Sequence, residues 1–439
     1  MVHRSTSVKN KEGKSDWVYS VLPLNIALGP VGTFVQLFIL ELHGTVIDIG
    51  LATTLFNAVG IPAAMLWGYA TDHSPSRKLI IVGSYLSLSV NLLLFILARS
   101  ISGVQLLYAL FSLLSSAAAT PLNLLIMETE PKSKWASTFS RFSMASSTGI
   151  TFGLLLGVGW ADFLPLDLLV VPLAAFSLVS AALSVVMIKE PAFLFEGEII
   201  AMVRRSLYYG LLVVPTLFLR IPRLFDFRRA FKGLGHQLRY ELTRDTQVLY
   251  LSIFAFYAAS GIFNTSLVPS LYEAHISESQ IFLVNLVAMG VQGISFHYAG
   301  PYIERRNLRI TAVVGLVLRS VCYTMIGITA LIVSGLLYLG ANLVLYTLAA
   351  GVAFALYYSA SNIMVFHTLG QTGQGSKLGV YSALVGIAST IGSFISGFTS
   401  FYLGYSTTFI LAGICLGIAA WLASLLRGFQ TSDLTLNGD

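Results

Sequence analysis

Arg319 is the one ionisable side chain of this sequence that lies well inside a long apolar run, about ten residues or ~15 Å from its start. A charge in such a position marks a functional site by default, so Arg319 could contact an anionic substrate. Alternatively, it is a structural arginine paired with backbone or with a polar neighbour. None of the 20 acidic residues lies in the middle of an apolar run.

Two Glu-x-His pairs, Glu41/His43 and Glu273/His275, stand at the ends of apolar runs. They could titrate together or bind a metal weakly, but we expect them to be solvated helix-end residues. The sequence contains no HExxH motif, no paired acids inside an apolar run and no GxxxxGK[ST] phosphate loop. Cys322 and Cys415 form no CxxC site. We therefore expect neither an enzyme nor an ATP-driven pump, and neither a cofactor nor a metal.

The composition indicates that these residues belong to a membrane protein. Of the 439 residues, 56% are hydrophobic and 10% are charged, and the mean hydropathy is +0.78. Soluble domains carry about 25% charged residues. The charges here are clustered between long uncharged runs, a pattern typical of chains folded in lipid. A soluble enzyme, a disordered chain and a disulfide-stapled secreted domain are excluded.

Twelve apolar runs are long enough to cross a bilayer as helices, which takes about 20 residues each. The first is too long for a secretory signal, so we interpret it as a retained span. The sequence predicts an all-α membrane protein whose spans, numbered 1 to 12, cover about 17–40, 49–71, 79–98, 102–127, 139–161, 167–188, 247–272, 279–303, 309–333, 335–361, 378–402 and 405–426.

The positions of the basic residues predict the orientation. With a cytoplasmic N-terminus, only Arg99 of the 26 Lys and Arg residues falls outside and only Arg319 falls within a span. This is positive-inside topology, so the pI near 9.2 requires no nucleic-acid partner. We predict a plasma-membrane protein with a cytoplasmic tail (1–16), a six-helix bundle (17–188), a cytoplasmic linker with an interfacial helix (189–246), a second bundle (247–427) and a cytoplasmic C-terminal tail (428–439).

An internal repeat relates the two predicted bundles. Shifting the chain by 232 residues aligns the first three spans with spans 7 to 9 without a gap. Glu41 then meets Glu273, His43 meets His275 and Gly68 meets Gly300. The chain is thus expected to contain two copies of a six-helix unit in the same orientation, which is a transporter architecture.

A loop motif occurs in both copies. Gly68-x-x-x-Asp72-x-x-x-x-Arg77-Lys78 lies between spans 2 and 3, and Gly300-x-x-x-Glu304-Arg305-Arg306-x-x-Arg309 lies between spans 8 and 9. A small residue permits close helix approach, and the basic residues follow on the positive-inside face. Together with twelve spans and a long central linker, this motif resembles the major facilitator superfamily. His73 and Pro75 depart from the family pattern, which usually has a basic residue and a glycine there.

The resemblance implies a gate that holds one access state through a cytoplasmic charge clamp. Alternatively, the loop charges only anchor the topology. The gating residues that the resemblance implies are Gly68, Asp72, Arg77, Glu128, Arg141, Gly300, Glu304 and Arg309.

Span 5 carries Gly149, Gly153 and Gly157 at every fourth residue. Such glycines line one helix face and permit neighbouring backbones to approach closely. The run looks like the glycine-rich helix of antiporter-type family members, although their usual proline is absent.

In the family, spans 1, 4, 7 and 10 build the substrate cavity, and the third helix of each three-helix unit lies at the periphery. That position favours the structural interpretation of Arg319. The polar residues of the cavity spans are uncharged, which suits a neutral polar solute such as a sugar or an amphipathic drug-like molecule. Some of them are expected only to bond between helices. The candidate substrate residues are Asn25, Gln36, Asn123, Tyr257, Asn264, Asn342, Tyr346 and, on span 9, Arg319.

We predict a monomeric secondary transporter that moves a small solute by alternating access. One alternative is a receptor or scaffold that keeps the fold without flux, and another is an organic-anion transporter that uses Arg319. Proton coupling would need Glu41, Glu128, Glu273 or a histidine. The lipid bilayer and a small-molecule substrate are the partners that we expect.

Overall fold

The structure of this chain is a computed structural model that describes residues 16–73, 76–129, 135–188, 243–304, 307–369 and 374–426. Within these ranges, every regular element is a helix. Lipid offers no hydrogen-bond partner to the backbone, so each span must satisfy its own N–H and C=O groups.

The first bundle contains spans 1 to 6. Span 1 is built from two helices, Val21–Leu28 and Val31–Glu41, which are separated at Gly29 and Pro30. The helices of spans 2 to 6 are Val46–His73, Arg77–Leu94, Ile101–Thr129, Trp135–Ala161 and Val170–Met187.

The second bundle begins with the helices Arg244–Glu273, Glu278–Glu304 and Leu308–Ile332, which are spans 7 to 9. Span 10 consists of the helix Gly335–Tyr346, a π-helical turn and the helix Phe354–Leu369, and the π-helical turn covers Thr347–Ala353.

The last helix, Gln374–Ser424, holds two spans. A straight helix of its 51 residues would be roughly 77 Å long, more than twice the thickness of the hydrocarbon layer. Gly404 interrupts it with φ 82° and ψ 161°, a conformation that glycine adopts without a steric penalty. Eleven helices among the described residues are long and apolar enough to cross a membrane. Because the last one contains spans 11 and 12, the prediction of twelve spans is confirmed.

The glycines of span 5 pack as their spacing predicts. A Cβ atom on Gly149 would lie 2.6 Å from the carbonyl oxygen of Leu22 in span 1. A Cβ on Gly153 would meet the carbonyl oxygen of Ile26, again in span 1. These two positions therefore require the absence of a side chain.

The repeat extends to the backbone conformation at the ends of spans 1 and 7. His43 and His275 both have φ 59°, the left-handed conformation that ends many helices. In each case the amide of the next residue donates to the carbonyl oxygen four residues before the histidine, at 2.9 and 3.2 Å. Both histidines are exposed, as expected for helix-end residues. We call this side of the molecule the His43 face and the opposite side the Arg77 face.

The left-handed cap predicts the effect of replacing His275. We expect His275→Gly to keep the melting temperature in detergent, because glycine adopts positive φ freely. His275→Val should lower the free energy of unfolding by about 1–2 kcal/mol, since a β-branched residue is strained there. Ala274→Val is the matched control, because Ala274 has an ordinary φ of −75°. Equal losses in the two valine variants would contradict this explanation.

Candidate functional site

Arg319 lies near the middle of span 9, on the helix face that points into the second bundle. The buried residues of this span recur at helical spacing and include Gly315, Arg319, Cys322 and Tyr323. The side chain of Arg319 is only 3% exposed. Although the family's architecture suggests a peripheral helix, the charge itself is inside the protein.

The guanidinium of Arg319 is held by the phenol one turn further along the same helix. Its Nε and Nη2 atoms both donate to the Tyr323 hydroxyl oxygen, at 2.9 and 2.6 Å. This is the polar neighbour that the structural interpretation expects. The third nitrogen, Nη1, is buried and has no hydrogen-bond partner in the part of the chain that the structure describes. Tyr323 therefore fixes the position of the guanidinium, but the hydrogen-bonding capacity of Nη1 is unused by the described residues.

Three aromatic rings from three spans surround this group, and we call them the Arg319 cage. Cζ of Arg319 lies 4.8 Å from the ring centroid of Phe256, 5.1 Å from that of Tyr323 and 5.3 Å from that of Phe354. They belong to spans 7, 9 and 10, respectively. The negative faces of aromatic rings attract a cation at such distances.

The cage compensates only part of the cost of burying the charge. A cation–π contact contributes about 0.5–2 kcal/mol, whereas removing an ion from water costs several kcal/mol even in a relaxed protein. Every acidic residue lies at or beyond the ends of the spans. Among the described residues, no acidic side chain forms an ion pair with Arg319, whose contacts are the Tyr323 hydroxyl and the aromatic rings. A positive charge thus stands in the bundle interior without a counter-charge from these residues.

The π-helical turn of span 10 adjoins this site. Such turns widen a helix and are frequent at functional sites. The side chain of Gln292 in span 8 donates to the carbonyl oxygen of Ala350 at 3.0 Å. A Cβ atom on Gly315 of span 9 would lie 2.9 Å from the carbonyl oxygen of Ala353. The turn is therefore fixed from both neighbouring helices, and Phe354 of the cage follows it directly.

Four of the predicted substrate residues are buried in this conformation, namely Asn25, Gln36, Asn342 and Tyr346. The Asn25 amide donates to the carbonyl oxygen of Val21 at 2.9 Å, and the Asn342 amide donates to that of Tyr338 at the same distance. The amide oxygens of Gln36 and Asn342 have no hydrogen-bond partner among the described residues. Substrate binding by these four residues stays a prediction.

Three other candidates are more accessible. Asn123 of span 4 and Asn264 of span 7 are exposed, and Tyr257 is partly buried. An exposed amide is costly in lipid, so these asparagines favour a polar space within the protein. Tyr257 packs edge-on against Phe256, with ring centroids 5.1 Å apart. Among the predicted substrate residues, Tyr257 and Arg319 thus both contact the ring of Phe256.

Small and hydroxyl-bearing residues join the two bundles toward the His43 face. The hydroxyl oxygens of Thr53 in span 2 and Thr265 in span 7 are 3.3 Å apart. The Asn57 amide of span 2 donates to the Ser393 hydroxyl of span 11 at 3.2 Å. We call this contact region, together with the contacts in the next paragraph, the interbundle seam.

Glycines and one serine complete the seam. A Cβ atom on Gly50 of span 2 would lie 2.8 Å from the Cα of Gly397 in span 11. At the start of span 8, the Ser279 hydroxyl lies 2.9 Å from the carbonyl oxygen of Val158 and 3.0 Å from a carboxylate oxygen of Asp162. Gly50, Ser279 and Gly397 lie close to the His43 face, whereas the contact of Asn57 with Ser393 lies further along spans 2 and 11. The seam therefore extends from the His43 face toward the middle of the spans.

The loop motif is only partly within the described structure. No atom of the described residues lies within 4 Å of where a Cβ on Gly68 would be. The close approach that the sequence predicts at Gly68 stays a prediction, because neighbouring loop residues lie outside the described part of the structure. Arg77 begins the helix of span 3, and the Arg309 backbone amide donates to the Asn307 side chain at the start of span 9.

The structure describes few contacts of the remaining gating candidates. Arg141 is exposed on span 5. The side chains of Asp72, Glu128 and Glu304, and the surroundings of Gly300, lie outside the described part of the structure. The charge clamp stays a prediction.

The family model described as Major Facilitator Superfamily matches residues 20–205 and 249–434, which is most of the chain. The chain belongs to the Major Facilitator Superfamily. Each matched segment contains one of the two bundles, in agreement with the internal repeat. As a member of this transporter family, the chain is a multi-pass membrane protein. Among proteins of curated function, no sequence matches it.

Solved transporters share the fold. A POT family transporter in complex with a thioalcohol-conjugated peptide has a TM-score of 0.69 at 10% identity, covering 93% of this chain and 95% of its own. A bacterial homolog of the human lysosomal transporter Spinster, inward-facing and occupied, has a TM-score of 0.66 at 16% identity, covering 95% and 97%. A mutant of the nucleoside transporter NupG has a TM-score of 0.65 at 11% identity, covering 94% and 99%.

Sequence reasoning missed the partners of Arg319. Tyr323 was detectable, because residues four apart are neighbours on a helix. Phe256 and Phe354 carry no such signal, since aromatic residues are common in membrane spans. The seam residues Thr53 and Ser279 were likewise indistinguishable from other hydroxyls in the spans.

The seam predicts that Gly50→Ala opens the His43 face, because its Cβ meets backbone of Gly397 that cannot rotate away. Spin labels at the exposed residues Phe163 and Tyr402, one in each bundle, should then report a longer mean distance. Gly290→Ala is the matched control, since the space beside Gly290 is empty. An unchanged distance in a folded Gly50→Ala variant would contradict the importance of the seam.

Proposed function

We propose that this chain is a secondary transporter that moves a small solute across the plasma membrane by alternating access of its two bundles. The observation that carries the proposal is the composition of the interbundle seam. Gly50 and Gly397 meet at backbone distance, and hydroxyl and amide groups such as Thr53 and Asn57 make the polar contacts. Such groups can be hydrated on separation, and the large apolar side chains that cross the contact, Phe282 and Ile61, each face a glycine, so the seam costs less to open than the core of either bundle.

Packing within each bundle supports movement as rigid bodies. In the first bundle Phe34 stacks on Phe38 and meets Phe95 edge-on, with centroids 5.4 and 5.8 Å away. In the second, the Phe263 ring lies 3.7 Å from that of Tyr323. Large interlocked side chains resist rearrangement, so a change of state is expected to occur between the bundles.

The positive-inside pattern supports an orientation in which the Arg77 face and both termini are cytoplasmic. The exposed amides of Asn123 and Asn264 suit a neutral polar or amphipathic solute. An organic anion is the second candidate, and the unsaturated guanidinium of Arg319 favours it. The structures with similar folds were solved as transporters of a peptide-like molecule or nucleosides, which supports a small solute. Proton coupling and a monomeric state are further parts of the proposal.

Transport and a scaffold role can be separated in proteoliposomes. Purified protein would be tested for counterflow of labelled sugars, nucleosides and organic anions, with and without a pH gradient. Spin-label distances across each face would be measured in parallel. Counterflow together with opposite distance changes at the two faces is the expected result. No flux and a single fixed distance at both faces would support a non-transporting scaffold.

The loop motif predicts that Asp72→Asn reduces flux by about tenfold, equivalent to about 1.4 kcal/mol in the balance of states. Removing its charge would weaken the proposed clamp and leave folding and ligand affinity largely intact. Asp167→Asn is the control, because Asp167 precedes span 6 at the His43 face. Both melting temperature and ligand affinity would be measured. Wild-type flux in Asp72→Asn would refute a gating role.

A further inference from the structure

We propose that Arg319 is the anion-binding group of the substrate site, and that the solute is an amphipathic organic carboxylate. The carboxylate would accept from Nη1, and the apolar body would pack on rings beside the cage. This inference rests on the proposed transport function and develops its second candidate substrate, the organic anion.

The geometry of the guanidinium supports an anion rather than a neutral group. Tyr323 occupies Nε and Nη2, which fixes the plane of the group. Nη1 keeps both of its hydrogens without a partner among the described residues. A charged donor forms its strongest hydrogen bonds with an ionised acceptor. A carboxylate would satisfy this donor and neutralise the buried charge at once.

The surroundings select a carboxylate with an apolar body. Phe256 and Phe354 present carbon surface beside the charge, and Phe354 stacks on Tyr358 with centroids 5.2 Å apart. Tyr358 is 37% exposed. The stacked pair therefore forms a continuous apolar surface from an accessible ring to the guanidinium. An ion without an apolar part would leave this surface unused.

Access to Arg319 requires Phe354 to move, because the guanidinium is buried and the Phe354 ring contacts both Arg319 and the exposed ring of Tyr358. Phe354 begins the helix that follows the π-helical turn Thr347–Ala353. The contacts of this turn with Gln292 and Gly315 must loosen for Phe354 to move, so we place the opening step at this turn.

The first experiment compares matched pairs of ligands that differ only in charge. Melting temperatures of the detergent-purified full chain would be measured with phenylpropionate against phenylpropionamide and with octanoate against octanamide, at constant ionic strength. We expect the carboxylates to stabilise the protein and the amides to do so at least tenfold more weakly in apparent affinity. Equal stabilisation by carboxylate and amide would overturn the proposal.

Variants assign the effect to Arg319. Arg319→Met should abolish the difference between carboxylate and amide, whereas Arg319→Lys should retain part of it. Tyr298→Phe is the control, because it removes a phenol hydroxyl from an exposed ring outside the Arg319 cage. It should retain the preference for the carboxylate. A preference that survives in Arg319→Met would overturn the assignment.

A second measurement needs no ligand. If the charge of Arg319 has no resident counter-ion, Arg319→Met should melt at the wild-type temperature or above it. A structural arginine would instead give a lower melting temperature. A lowered value together with no stabilisation of wild type by any carboxylate would overturn the proposal. If Arg319→Met does not fold, the ligand pairs on wild type and Arg319→Lys still decide the question.

Inorganic anions test whether negative charge alone is sufficient for binding. Chloride and phosphate carry negative charge, as a carboxylate does, but lack the apolar body. Stabilisation by these ions equal to that by the carboxylates would overturn the substrate assignment. Counterflow of a sugar or nucleoside without any response to carboxylates would also overturn it, while leaving the proposed transport function intact.

Discussion

A buried guanidinium without a carboxylate beside it is the constraint around which the interior of the second bundle is arranged. Arg319 reaches rings on spans 7, 9 and 10, and so it ties three helices around one charge. The membrane makes this arrangement costly, because no water is at hand to solvate what the protein leaves unpaired. A protein that only needed to fold would be better served by an apolar residue at this position.

The two kinds of packing in the molecule have different physical consequences. Inside each bundle, rings such as Phe34 and Phe263 interlock and buried hydroxyls bond to backbone carbonyls. Between the bundles, Gly50 and Gly397 meet at backbone distance, and hydroxyl groups make the polar contacts. Two larger side chains also cross this contact, because Phe282 of span 8 packs at Gly157 of span 5 and Ile61 of span 2 packs at Gly386 of span 11. Each of these two side chains faces a glycine, so it can withdraw from its neighbour without displacing another side chain.

The sequence was sufficient to predict the features that depend on the length of the apolar runs and on the internal repeat. Apolar runs and the 232-residue shift revealed the spans and the repeat, and His43 and His275 indeed share one backbone conformation. Contacts between residues that are distant in the chain could not be predicted from the sequence. The burial of Asn342 follows from tertiary contacts that no local pattern encodes. The Arg319 cage has the same origin, since its rings come from three separate spans.

Spans 11 and 12 are joined through a one-residue break at Gly404 and form a single bent helical unit. Span 11 carries Gly397 of the seam, while span 12 is fastened to span 9, where the Ser320 hydroxyl donates to the carbonyl oxygen of Gly413 at 2.7 Å. No loop lies between the two arms to absorb a displacement. Gly397 and Arg319 are therefore parts of one rigid unit, and any displacement of the seam residue relative to the first bundle displaces the guanidinium with it.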